Sequence, residues 1–153
     1  MTVLLRLSAL AVVLGLLAPL ASAQPSRSST PAVTLTADAG APASSAVRAG
    51  GADRVPIPGS GCAGFIANAT PSAAVAWSGD GPLSIYAVSG DDTTLLVSDP
   101  DGRWHCSDDA RGVDPAVSIA RPKAGTYVVW VGTQAPGETA GATLHARKGA
   151  PAW

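Results

Sequence analysis

Between Gly61 and Arg147, apolar and polar residues alternate in short runs, and turn-forming residues close each run. Eight stretches share this texture: 64–67, 73–77, 83–89, 93–98, 102–106, 116–120, 126–132 and 142–147. Between them stand Asn68-Ala69-Thr70-Pro71, Gly79-Asp80-Gly81-Pro82, Gly90-Asp91 and Asp99-Pro100-Asp101-Gly102. Further on come the Gly112–Pro115, Pro122–Gly125 and Pro136–Gly141 breaks. A period of two puts successive side chains on opposite faces of a strand. No stretch carries the period of 3.6 that an amphipathic helix needs. Short strands spaced about ten residues apart predict an all-β sandwich or barrel of about eight strands.

The same alternation assigns faces. Leu83, Ile85 and Ala87 point one way, as do Val117 and Ile119. Trp104 and Cys106 share one face of their strand, expected to be the inward one, while Arg103 and His105 share the other and are expected to face solvent.

The two ends of the chain read differently. Met1–Arg6 is a short basic segment, and residues 7–20 are almost wholly apolar. Ala21-Ser22-Ala23 then offers small residues where a signal peptidase reads them. Residues 1–23 therefore predict a signal peptide, too short in its apolar part for a membrane span of about 20 residues. Residues 24–59 are dominated by Ala, Ser, Pro, Gly and Thr. Apart from a short candidate strand at Val33-Thr34-Leu35-Thr36, they predict a flexible leader with too little apolar surface to offset ordering. A β-sandwich domain over 60–149 and a tail over 150–153, with a disordered Trp153, complete the expected organisation. The predicted location is secreted or periplasmic, with no integral membrane segment after signal cleavage.

Charge narrows the partners. Without Arg6 the chain holds nine basic and eleven acidic residues, a net charge of −2. That balance argues against nucleic acid, which needs a basic field. The two cysteines, Cys62 and Cys106, are an even count in an exported chain, and this predicts a disulfide. Its loop would make it worth about 4 kcal/mol on the chain-entropy model. For a domain of this size, a staple compensates for a small core.

Seven of the eleven acidic residues lie between Asp91 and Asp114, and all seven are aspartates. A catalytic origin finds little support. The bases of the usual kind are His105 and His145, no serine stands in a G-x-S-x-G setting, and no nucleophile–base–acid constellation is visible. Ser78-Gly79-Asp80-Gly81-Pro82 resembles the GDSGGP run of chymotrypsin-like proteases only superficially, since no serine lies between its Asp and the following Gly. Two histidines and two disulfide-inclined cysteines match no zinc spacing. Calcium is the candidate ion, because hard cations take oxygen ligands from adjacent loops. If 93–98 and 102–106 form a hairpin, Asp91, Asp92, Asp108 and Asp109 meet at one end as a possible metal site. Asp99 and Asp101 then lie at the opposite tip, about 20 Å away. There Asp99-Pro100-Asp101-Gly102 fits a type I turn capped by the Asp99 side chain.

Asp92-Thr93-Thr94-Leu95-Leu96-Val97 is followed in order by Pro100-Asp101-Gly102, Trp104, Cys106, Asp108-Asp109 and Pro115. The run from Gly125 through Tyr127, Trp130 and Gly132 to Thr133 ends the series. Over residues 61–147 this frame resembles the bacterial pre-peptidase C-terminal (PPC-like) domains, in particular a subgroup of short exported proteins. The resemblance implies a jelly-roll-like antiparallel β-sandwich without catalytic apparatus. Members of that family flank secreted peptidases, and some bind calcium or polymers such as collagen or polysaccharide. Ala110-Arg111-Gly112 departs from the Gly-rich turn usual after the paired Asp, and Arg111 could neutralise one carboxylate there. The expected function is a non-catalytic binding or accessory module for an extracytoplasmic protein or polysaccharide. The alternative is a subunit or remnant of an exported peptidase that lacks its own catalytic residues.

Overall fold

The computed structural model describes residues 24–57 and 62–153. The signal peptide reading (1–23) and the expected domain boundary at 59–60 fall outside the described residues. Among those residues the fold is all-β, without a helix, and comprises eleven strands in two sheets. They are β1 (Val33–Ala37), β2 (Ala43–Gly50), β3 (Asp53–Arg54), β4 (Phe65–Ile66), β5 (Ala73–Trp77), β6 (Leu83–Ser89) and β7 (Thr93–Ser98). The series continues with β8 (Trp104–Ser107), β9 (Ala116–Ile119), β10 (Gly125–Thr133) and β11 (Thr139–Lys148).

Strands β1, β5, β10, β4, β3, β7 and β8 form a seven-stranded sheet, and β2, β11, β6 and β9 a four-stranded one. Pairing is antiparallel except between β1 and β5, which run parallel from Val33↔Ala73 to Ala37↔Trp77. The two sheets enclose the main core. Leu35, Val75, Leu95, Val97 and Tyr127 reach it from the larger sheet, and Val47, Leu83, Ile85, Val117 and Leu144 from the smaller. All eight predicted strands are present, with ends moved by up to three residues.

The flexible leader is not what the structure contains. β1 joins the seven-stranded sheet, β2 pairs with β11 over eight residue pairs, and Leu35, Ala37, Val47 and Ala49 are buried. Small side chains explain the difference. Alternation of Ala, Ser and Thr carries little hydropathy contrast, so the burial of such small residues leaves a weak signal in the sequence. The C-terminal tail is likewise docked. The Tyr86 hydroxyl donates to the Ala152 carbonyl at 3.0 Å, and Trp153 packs edge-on against the Tyr86 ring with centroids 5.0 Å apart. Arg111 lies over the Trp153 ring, its guanidinium carbon 5.7 Å from the ring centre.

A second, smaller core covers the outer face of the seven-stranded sheet. Val55, Ile66, Leu96, Val128 and Trp130 form it, and Trp104 and Cys106 pack against it. The Cys62–Cys106 disulfide, with Cα atoms 5.9 Å apart, ties the segment before β4 to β8 over this face. Register reverses the expected orientation of β8. Val97 pairs with His105 and Leu96 with Cys106, and directly opposed residues share a face. His105 therefore lies on the inter-sheet side with Val97, at its partly open end, and Trp104 and Cys106 lie on the outer side. Both sides of this sheet are covered, so alternation alone does not tell which one faces the partner sheet.

Candidate functional site: a groove beside the edge of the four-stranded sheet

β2 is one of the two edge strands of the smaller sheet, β9 being the other. Its outward residues are small or polar: Ser44, Ala46 and Arg48 are all exposed. Opposite them in register stand His145, Thr143 and Gly141 of β11. The small side chains leave a trough. Three adjoining cavities of about 350, 540 and 570 Å³ run along it, and they share walls. Ala32, Arg48 and Thr139 line both the first and the second, while Ala46 and Gly141 line both the second and the third.

The first cavity is the most enclosed by local geometry. Its walls come from the segment before β1, the end of β2 and the loop between β4 and β5, including Ala32, Ala49, Ala67 and Pro71. Two glycines make this approach possible. A Cβ on Gly51 would run into the Ile66–Ala67 peptide, and one on Gly50, at φ +109°, would meet the Glu138 carbonyl. Hydrogen bonds fix the walls. Ala32 N–H donates to Pro71 O at 3.1 Å, and Gly137 N–H to Gly51 O at 2.8 Å. The buried Ser72 hydroxyl accepts from Val131 N–H at 3.0 Å and donates to Arg48 O at 3.4 Å. At the rim, Arg48 Nη2 donates to Thr139 Oγ1 at 2.9 Å. No carboxylate lies within ion-pair distance of Arg48 among the described residues.

At the far end of this face the His145 and Tyr86 rings stack, with centroids 4.7 Å apart and planes 9° from parallel. Burial disfavours the imidazolium and lowers the His145 pKa. Residues 42–44 and Arg147 border a further cavity of about 220 Å³ beside that stack.

The aspartates singled out from the sequence go to separate tasks. The hairpin brings the ends of β7 and β8 together, from Leu95↔Ser107 to Ser98↔Trp104, but its carboxylates take different partners. Asp92 Oδ1 accepts from Gln134 Nε2 at 3.2 Å, and Asp108 Oδ2 from Ala63 N–H at 3.1 Å. Asp91 N–H donates to Ser89 Oγ at 3.1 Å, and Asp109 is exposed. Among the described residues no three His, Cys, Asp or Glu side chains group as metal ligands. Asp91 and Asp92 instead border a cleft of about 370 Å³ with Glu138, Gln134 and Thr139.

At the opposite tip, Asp99 caps the turn. Its Oδ1 accepts from the N–H groups of Asp101 and Arg103, both at 2.9 Å. Its Oδ2 accepts from Arg103 Nε at 3.0 Å and lies 3.2 Å from His105 Nε2. Burial acts to raise the Asp99 pKa, but the Arg103 N–H, the His105 ring and the Arg103 guanidinium outweigh it and hold the carboxyl below its ordinary value. Asp101 bridges Arg103 and Lys123 in front of it. Sequence reasoning anticipated the turn and missed the Asp99–His105 pair. The signal available was their spacing of six residues across a tight hairpin, which puts both on one face. Among the described residues, Asp99 is the hydrogen-bond partner of the His105 ring. His145, by contrast, has an aromatic neighbour.

The groove itself was not among the residues anticipated. The walls of its first cavity come from 32, 48–51, 67, 70–72 and 139, and nothing in their local pattern marks them as neighbours. No protein-family model matches the chain, and no curated protein matches it.

Proposed function

We propose that this chain is a non-catalytic, exported binding or accessory module of the PPC-like kind, holding an extracytoplasmic protein or polymer in the groove beside β2. The observation that carries this reading is the groove: walls fixed by backbone hydrogen bonds, glycines required for their close approach, and one arginine at the rim without a carboxylate partner. Ligand sites are characteristically preformed, largely apolar concavities with a few placed polar groups. The Cys62–Cys106 disulfide supports the compartment, since such bonds persist where the surroundings are oxidising. No helix among the described residues is long and apolar enough to cross a membrane. The residues that carry the PPC-like resemblance serve the framework: Asp101 bridges Arg103 and Lys123 at the turn, and Trp104 and Cys106 pack the second core.

The test is comparative capture. The wild-type protein and a Thr70→Trp variant, which fills the cavity from an exposed position, are each exposed to the host's exported proteins and wall polymers. Material held by the wild type and released by the variant is the expected result. Identical capture by both, or a hydrolytic activity that disappears in His105→Ala, would overturn the reading.

A further inference from the structure

We infer that the cavity beside Arg48 takes the free carboxyl terminus of a peptide, with the terminal carboxylate on the guanidinium and an aliphatic last side chain in the cavity. This rests on the groove being the binding site and names its ligand class. Arg48 offers a planar fork of N–H donors that matches a carboxylate in two parallel bonds. Its described side-chain contact is the single bond to Thr139 Oγ1, so most of the fork is free. Its charge has no counter-ion among the described residues.

Immediately beside this cation the cavity wall is apolar, made mainly by Ala32, Ala67 and Pro71. A chain terminus puts a carboxylate and a side chain on one Cα, so both fall within the span of a cavity of about 350 Å³. A phosphate or sulfate would satisfy Arg48 and leave the apolar wall unused. A polyanion fits poorly for another reason. The cleft that shares Thr139 with this cavity carries Asp91, Asp92 and Glu138, which repel any further negative charge. One carboxylate at the end of an otherwise uncharged segment suits the field.

The experiment uses the purified protein and random hexapeptides ending in Val, Leu, Ile, Ser, Lys or Asp, each made as free acid and as carboxamide. Acids ending in Val, Leu or Ile should bind about tenfold or more tightly than their amides, as expected when a charge-assisted hydrogen-bond pair is lost. Arg48→Ala should erase the acid–amide difference, and Arg48→Lys should keep part of it, since the charge remains without the fork. Thr70→Trp should block binding of acids and amides alike, and it tests the cavity independently of Arg48. Equal binding of acids and amides, an unchanged preference in Arg48→Ala, or no binding of aliphatic acids would each overturn the inference. Groove-dependent capture of exported material alongside equal binding of acids and amides would remove the ligand class alone. Absence of groove-dependent capture would remove the binding-module reading with it.

Discussion

The two sheets turn different outer faces to the world. Over the seven-stranded sheet, Ile66, Leu96 and Trp130 are fully buried beneath the disulfide segment and Trp104. Over the four-stranded sheet, Ser44, Ala46, Arg48 and Thr143 are exposed, and the tail covers only the Tyr86 side. The primary structure carries this difference. β7 is buried at all six positions, TTLLVS, whereas β2, ASSAVRAG, alternates. A strand covered on both faces reads as a continuous apolar run, and one covered on a single face alternates. The lesson is a division between the two outer faces: one is covered by a second core, and the other is left open to solvent.

Truncation should expose that difference most sharply. Trp130→Ala should cost about 4 kcal/mol in chemical denaturation, the usual penalty for emptying a large aromatic site. Thr143→Ala, on the open face, should stay within about 0.5 kcal/mol. A large loss at Thr143 would mean that the open face is structural as well. The Cys62→Ser/Cys106→Ser double variant should lose up to about 4 kcal/mol, the entropy of a loop with a sequence separation of 44. Intact mass after alkylation without reductant should show no modified cysteine in the wild type; two alkylated cysteines would refute the bridge.

The smallest effects concern pH, and they separate the two sheets, His145 standing on β11 of the smaller and Asp99 directly after β7 of the larger. The folded-state pKa of His145 lies below its ordinary 6.5. As pH falls through 6.5 the unfolded chain takes up the proton first, so stability declines until the folded value is passed. His145→Phe should flatten that part of the Tm profile. Asp99 behaves in a lower window. Its folded pKa lies below the ordinary 3.8, so its contribution is present above 3.8 and is lost as pH falls through the folded value. Asp99→Asn should remove this second decline while leaving the first. A single decline shared by both variants would contradict the separate assignments.

How legible the molecule was depends on side-chain size and on distance along the chain. β5, β6 and β7 match their predicted spans residue for residue, because Val, Ile, Leu, Trp and Tyr alternate or cluster between strong turn residues. β1 is visible as the candidate strand at Val33–Thr36, whereas β2 reads as linker because Ala and Ser report burial weakly, although Ala49 is among the most deeply buried residues. The Asp99 turn was visible as chemistry confined to four neighbours. The four-aspartate rim was inferred from strand ends meeting, which they do, but side chains choose partners outside the hairpin, Gln134 and Ala63 among them. The groove was invisible for the same reason in stronger form: Arg48 and Thr139 are 91 residues apart in sequence.

Hydrogen–deuterium exchange with and without the captured ligand tests the central claim most directly, because it asks which face binds without assuming the ligand. Slowed exchange should appear in residues 46–51 and 67–72 and at Thr139–Gly141, with the segment from Asp99 to Cys106 unchanged. Protection centred on 99–106, with the β2 edge unaffected, would contradict the account and move the site to the opposite end of the sandwich.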